Sequence, residues 1–205
     1  VRAPPTNSMP PGTVVGVLSE GAWTAPPAVQ EDVILVRLRP EDMPGRVEPL
    51  DPFDCIHWID PAPSRLSPAA ADALTRWVQL GGHLLVETAD AGRLSKLLST
   101  DLPELLAESV TATMLGDAGK PARPDGTRPE SLLLRAIRPF PALQLELTEG
   151  MEELARTEHG PVAMTLPVEL GRLTVAGWRQ RPDLPEAGAM ARKLLRPQEA
   201  LDPRV

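Results

Sequence analysis

The chain has 205 residues, 42% hydrophobic and 24% charged, which is ordinary for a globular protein with one sizeable core. A net charge of −7, four Trp, two Phe and no Tyr argue against a nucleic-acid surface, which needs basic patches or stacking aromatics. Cys55 is the only cysteine, so an intrachain disulfide and a cysteine-based zinc site are excluded. No apolar run approaches the roughly 18 residues of a membrane span.

The amino-terminal third predicts an extended lead-in followed by two buried strands. Residues 1–12 are rich in proline and polar side chains. Two short apolar runs, over 13–18 and 32–38, are closed by polar residues or proline and predict strands. The chain starts with Val1 rather than Met, so we interpret it as a piece of a longer protein, in which any membrane attachment lies in segments absent here.

The stretch from Asp51 to Asp90 predicts a β-strand, a capped helix and a second strand, which is a βαβ unit. Phe53 to Ile59 is apolar throughout, as expected for a strand buried on both faces. Ser67 is suited to cap the helix and Pro68 to begin it. The remaining signals are an apolar helical stripe, a double-glycine stop and the second strand: Ala70, Leu74, Trp77, Val78, Gly81, Gly82 and His83 to Thr88.

The carboxyl-terminal half predicts shorter elements and a hairpin. Asp90 is expected to cap a short helix over 91–98. A Gly/Pro-rich stretch over 116–130 predicts a mobile surface loop, and Glu169-Leu170-Gly171 predicts a hairpin turn. The other predicted elements are a helix over 102–108, strands over 110–115, 132–137 and 143–147, hairpin strands over 162–167 and 172–176, and a helix over 186–195.

Together these elements predict a three-layer α/β fold with a mostly parallel, flavodoxin-like sheet and an antiparallel hairpin at one edge. The α/β domain is expected to span 13–180. Residues 181–205 are expected to form a carboxyl-terminal helix and polar tail.

Two places offer candidate chemistry. Cys55 and His57 lie two apart on a predicted strand and therefore share a face. They are compatible with a metal pair or a Cys–His nucleophile, but a buried thiol and a core histidine are the favoured interpretation because no second cysteine or clustered histidine accompanies them. The second place is the rim at the carboxyl ends of the strands, where ligands bind in open parallel sheets. It contains Glu20, Asp60, Glu87, Thr88 and Asp90.

Carboxylates that converge at such a rim are the ligands Mg²⁺ and Ca²⁺ prefer. The alternative is local: Asp90 is explained as a helix cap, and Asp60-Pro61 as turn chemistry. Both interpretations stay open at this point.

The βαβ sequence resembles class I glutamine amidotransferase-like domains, in particular uncharacterised versions in bacterial membrane-anchored or envelope proteins. There a Phe-Asp pair opens a strand, a Leu-Ser pair caps the helix, Trp-Val-x-x-Gly-Gly ends it, and Gly-Arg starts a closing strand. The matching residues are Phe53, Asp54, Leu66, Ser67, Trp77, Val78, Gly81, Gly82, Gly171 and Arg172.

Active members of that family carry a nucleophilic cysteine at a glycine-flanked strand-to-helix turn, with a histidine further on. The corresponding turn here, Glu87 to Gly92, has no cysteine, and His159 is followed by Gly160-Pro161. The resemblance therefore implies a non-catalytic binding or scaffolding domain of a larger, envelope-associated bacterial protein, without a cofactor, that contacts an unidentified protein or small ligand. Two alternatives remain: a metal-dependent hydrolase that uses the acidic rim, and a sugar- or peptide-binding module. A cytoplasmic location stays compatible with the sequence.

Overall fold

A seven-stranded mixed sheet organises the molecule in a computed structural model that describes residues 12–19, 33–62, 65–102, 112–115, 142–146, 150–157 and 160–178. Its strands are β1 (Thr13–Ser19), β2 (Val33–Leu38), β3 (Cys55–Ile59), β4 (His83–Glu87), β7 (Glu152–Thr157), β8 (Gly160–Val168) and β9 (Gly171–Ala176). Their order across the sheet is β2-β1-β3-β4-β9-β8-β7. The first five strands in this order run parallel, and β8 is antiparallel to both of its neighbours.

The described elements also include two helices, a small second sheet, and two 3-10 turns over Pro40–Asp42 and Glu48–Leu50. Helix α1 spans Pro68–Gln79, and α2 spans Ala91–Lys96 and continues as a π turn over Leu97–Asp101. Strands β5 (Ala112–Leu115) and β6 (Ala142–Leu145) pair antiparallel. The mostly parallel α/β fold predicted from the sequence is confirmed. No helix within the described ranges has the length and apolar character needed to cross a membrane.

The β3-α1-β4 unit forms as its sequence predicts. The Ser67 hydroxyl accepts a hydrogen bond from the Ala70 backbone N–H at 3.2 Å, and Pro68 begins the helix. Gly81 adopts φ +121°, in a region that favours glycine, and ends the helical stretch. A Cβ on Gly82 would overlap the Trp77 indole, so the second glycine is required for the ring to pack over the start of β4.

The sheet has two buried faces. One packs against α1 and is wholly apolar around Trp58 and Leu74. The other carries a second apolar cluster that includes Val17 and Trp178, together with buried polar residues from β3, β4 and β9. The polar residues are His57, His83, Glu87 and Thr174.

The carboxyl-terminal hairpin joins the sheet through its second strand. Glu169 and Leu170 form the turn between β8 and β9, as predicted, and β9 pairs with β4. Strand β7 was not predicted. Its Glu152-Glu153 start and Arg156 lack the apolar run of a buried strand, because β7 lies at the edge of the sheet.

Several predictions lie outside the described residues. They are the lead-in over 1–12 apart from Gly12, nearly all of the helix over 102–108, the loop over 116–130, the strand over 132–137, and the carboxyl-terminal helix and polar tail over 181–205.

Candidate functional site

Three of the five predicted rim residues lie together at the carboxyl ends of β3 and β4. The Thr88 hydroxyl donates to Asp60 Oδ1 at 3.2 Å, and it accepts a hydrogen bond from the Asp90 backbone N–H at 3.1 Å. The Asp60 backbone N–H donates to the Glu87 carbonyl at 2.8 Å. Asp60 has φ +47°, a left-handed conformation that aspartate tolerates better than most residues. The cluster therefore fixes the turns that leave two adjacent strands.

Arg93 of α2 closes this cluster from the helix side. Its guanidinium donates to the Asp60 carbonyl at 3.1 Å and lies 3.6 Å from Asp90 Oδ2. Asp90 Oδ1 accepts the Arg93 backbone N–H at 3.0 Å, which is the predicted helix cap. Each of these polar groups thus has a partner in the turns after β3 and β4 or at the start of α2, and these contacts account for its position.

Glu87 is separated from the rim because its side chain points to the buried polar face of the sheet. It is 1% exposed, and its Oε2 lies 2.8 Å from Nε2 of His57, which is equally buried. The register of β3 with β4 places His57 opposite Leu85, two residues before Glu87 on the same face. Glu20 lies outside the described residues. Among the described residues, no group of three or more His, Cys, Asp or Glu side chains could hold a metal ion.

Cys55 and His57 share a face, as predicted, but they do not form a nucleophilic pair. Burial raises the pKa of the Cys55 thiol far above its ordinary value, and the nearby positive charge of Arg172 offsets only part of this. The thiol therefore stays protonated and unreactive. The His57 imidazole faces the Glu87 carboxylate. Both side chains are buried in the core. This agrees with the interpretation favoured from the sequence, a buried thiol and a core histidine.

A second polar chain on the same face was not predicted from the sequence. The Arg172 guanidinium donates to His83 Nδ1 at 3.1 Å, so Nε2 carries the imidazole proton and donates to the Thr174 hydroxyl at 2.9 Å. Thr174 in turn lies 3.1 Å from the Thr165 hydroxyl of β8. The chain links β4, β9 and β8 at their buried centre. Nothing local in the sequence marks it, because His83 and Thr174 become neighbours only through the β4–β9 pairing.

His83 is held neutral by its surroundings. Burial keeps the pKa of His83 well below its usual value, and the positive charge of Arg172 and the proximity of His57 lower it further. The pKa of Arg172 is itself lowered by its partial burial. A proton on His83 Nδ1 would displace the Arg172 hydrogen bond and set two cations side by side.

Stability is therefore expected to fall on acidification through His83. Because the folded pKa lies below the unfolded value of about 6.5, the unfolded chain binds the proton first, and the loss begins as the pH drops below that value. One such group contributes a slope of at most about 1.4 kcal/mol per pH unit. Urea unfolding curves measured across this range for the wild type and for His83→Asn test it. In His83→Asn the free energy of unfolding should depend less steeply on pH below about 6.5. Equal pH dependence in both proteins would show that His83 is not the group responsible.

A groove on the opposite side of α1 is a second candidate location that the sequence did not indicate. It has a volume of about 670 Å³ and lies between α1 and the turn over 45–51. Its charged lining combines two arginines with three carboxylates: Arg46, Arg76, Glu48, Asp51 and Asp72. The lining also includes the apolar residues Val47, Ala69, Ala73 and Leu80, so the groove offers both charged and apolar contacts.

Comparison with known proteins adds structural neighbours. The cytoplasmic protein STM1381 from Salmonella typhimurium LT2 superimposes with a TM-score of 0.62 at 14% identity, over 89% of this chain and 98% of its own. The cytoplasmic protein STM3548 from Salmonella typhimurium gives 0.60 at 13% identity, over 89% and 97%. Gan42B, a GH42 β-galactosidase from G. stearothermophilus, gives 0.51 at 12% identity, over 91% of this chain and 31% of its own.

What is shared is the fold. At these identities the likeness carries no activity or ligand from one protein to another. No protein-family model and no curated protein matches the sequence.

Proposed function

We propose that this chain is a non-catalytic binding or scaffolding domain with a three-layer, flavodoxin-like architecture of the amidotransferase type, part of a larger bacterial protein associated with the cell envelope. Its partner would be a protein or a small ligand. The envelope association derives from the resemblance of the β3-α1-β4 sequence and of the Gly171-Arg172 strand start.

The strand order supports the flavodoxin-like part of the proposal. Strands β2, β1, β3 and β4 follow one another in space and run parallel, and β9 takes the fifth position in the same direction. This is the 2-1-3-4-5 order of flavodoxin-like sheets, with a later strand in the last place. Helix α1 crosses over one face between β3 and β4.

The proposal that the domain is non-catalytic depends mainly on the residues and hydrogen bonds of the turn after β4. A nucleophile would stand there in an active amidotransferase, and this chain has Thr88-Ala89-Asp90. The Thr88 hydroxyl bridges Asp60 and the Asp90 backbone, and the Asp90 carboxylate caps α2. The polar atoms at this position thus stabilise turns, while the single cysteine is buried on β3.

The structural neighbours are compatible with more than one context for such a domain. In Gan42B the superimposed part is 31% of the chain, so a fold of this kind occurs within a longer protein. The two Salmonella proteins are matched over nearly their full length. A domain that occurs in both settings suits a role in binding or assembly.

The charged groove beside α1 supports a second candidate, a sugar- or peptide-binding module. Arg46 and Arg76 could orient carboxylate or carbonyl groups, and Glu48, Asp51 and Asp72 could accept hydrogen bonds from hydroxyl or amide donors.

The experiment that tests the proposal is an activity and metal-binding measurement on the purified chain. We expect no release of ammonia from glutamine and no ester hydrolysis, with or without Mg²⁺ or Mn²⁺, and no heat on titration with Mg²⁺ or Ca²⁺. The matched control is Asp60→Asn, which removes one rim carboxylate charge. Metal-dependent turnover that Asp60→Asn abolishes would overturn the proposal in favour of a hydrolase at the rim.

A further inference from the structure

Helix α1 is buried on most sides and leaves one narrow stripe exposed. The exposed positions recur at intervals of three or four residues, at Ala69, Asp72, Arg76 and Leu80, the residue that follows the helix. Side chains at this spacing lie on one side of a helix. All four residues line the charged groove between α1 and the turn over 45–51. This stripe is therefore the helical wall of that groove.

The stripe carries two opposite charges that could pair with each other but do not. Asp72 and Arg76 are four residues apart, a spacing at which opposite charges can pair on a helix surface. Neither side chain forms a hydrogen bond or an ion pair with any residue that the structure describes. In α2, by comparison, Asp90 and Arg93 do pair. Both charges of the stripe are thus available to a partner outside the chain.

The two ends of the stripe are apolar and differ in size. At the carboxyl-terminal end Leu80 is 61% exposed, and Leu170 of the β8–β9 turn is 80% exposed. The Leu170 backbone N–H donates to the Gln79 carbonyl at 3.2 Å, so both leucines belong to this end. The amino-terminal end has the smaller Pro68 and Ala69, which are also exposed. Large apolar side chains thus lie at one end and small ones at the other.

We propose that the exposed stripe of α1 packs antiparallel against the same stripe of a second copy of this chain, across a two-fold axis at the level of Leu74. In this register Asp72 of each copy lies beside Arg76 of the other, and Leu80 lies beside Pro68 and Ala69. The axis repeats every contact, so two ion pairs flank the centre and a leucine meets small apolar residues at both ends. The facing stretches extend for about 18 Å along the helix axis.

The order of charge and size along the stripe identifies a second copy as the occupant and antiparallel as the direction. From Ala69 to Leu80 the stripe is small and apolar, then negative, then positive, then large and apolar. Such an order is complementary to its own reverse. A parallel pair would set Asp72 beside Asp72 and Arg76 beside Arg76, and like charges repel. A groove of a single charge sign would instead favour a partner of the opposite sign.

Self-association through α1 goes beyond the proposed function and does not depend on it, because the turn after β4 takes no part in the contact. It competes with ligand binding in the charged groove, since both need the same face of α1. The activity and metal-binding measurements above and the oligomeric state therefore fail or succeed separately.

Sedimentation velocity over a concentration series tests the proposal, with 22.1 kDa as the monomer mass. The wild type is expected to form a dimer at concentrations up to roughly 300 µM, the range that suits a small interface. Asp72→Arg and Arg76→Asp should each weaken dimerisation by at least roughly ten-fold, because the axis repeats each like-charge contact. An equimolar mixture of the two variants should form a dimer again, because every arginine then faces an aspartate.

Glu153→Arg is the matched control, a charge reversal on the edge strand β7, and it should dimerise like the wild type. Circular dichroism and thermal unfolding verify that all variants are folded, as expected for substitutions outside the core. A wild type that stays monomeric throughout the series overturns the proposal. Single variants that dimerise as tightly as the wild type also overturn it, and so does a mixture in which the two variants stay monomeric.

Discussion

Replacing Glu87 by alanine is expected to lower the free energy of unfolding by roughly 3 kcal/mol. The substitution removes the carboxylate that lies 2.8 Å from His57 Nε2, where both side chains are 1% exposed and water cannot take its place. It also leaves a space at the end of β4, in the middle of the sheet. Urea unfolding followed by the fluorescence of the buried Trp58, Trp77 and Trp178 measures the change.

Two further variants separate the buried pair from side-chain truncation in general. Glu153→Ala removes the partner of Arg156 in a pair whose side chains are 26% and 50% exposed, and it should cost about 1 kcal/mol or less. In the double variant His57→Leu/Glu87→Leu both polar groups are gone, so it should be more stable than Glu87→Ala. A Glu87→Ala protein as stable as Glu153→Ala would contradict the assigned role of the pair.

Gly171→Ala is expected to be about as damaging, with a loss of roughly 3 kcal/mol. A Cβ at this position would collide with the backbone carbonyl oxygens of Val78 and Gly82, which cannot rotate away as a side chain could. The same region ties the hairpin to the βαβ unit, since the Arg172 N–H donates to the Gly82 carbonyl at 3.1 Å. The added methyl group would therefore push β9 away from β4. Urea unfolding measures the loss.

Gly81→Ala is the matched control for that experiment. Gly81 lies in the adjoining turn and has φ +121°, but a Cβ there would meet nothing within 4 Å. The substitution should cost only backbone strain, on the order of 1–2 kcal/mol. If Gly171→Ala lowers the free energy of unfolding no more than Gly81→Ala does, close backbone packing is not the reason for a glycine at position 171.

The sequence predicted well those parts of the fold that local chemistry determines. Ser67 and Pro68 begin α1, Gly81 ends it, and Asp90 caps α2, each through contacts within four residues along the chain. The β8–β9 turn at Glu169-Leu170 was predicted for the same reason. Caps and turns leave a signal in a single sequence because the interacting groups are neighbours in it.

The candidate site was predicted less completely because its contacts are long-range. Asp60, Thr88 and Asp90 were assigned to one rim and do lie together. Glu87 was assigned there too, but as the last residue of β4 it alternates onto the face that carries His57. The Arg172–His83–Thr174 chain depends on which strand pairs with β4, and no residue pattern near His83 specifies that choice.

The parallel pairing of β4 with β9 also has a consequence for the order of folding. β4 ends at Glu87 and β9 begins at Gly171, so this contact can form only after all the intervening residues have been synthesised and closed into a loop. Strands β1 to β4 can associate earlier, from shorter separations. Until β9 arrives, β4 is an open edge with apolar and polar side chains uncovered, the kind of template on which chains aggregate. A nascent or truncated chain that stops before Trp178 is therefore vulnerable to misassembly, and the yield of native protein depends on the arrival of β9.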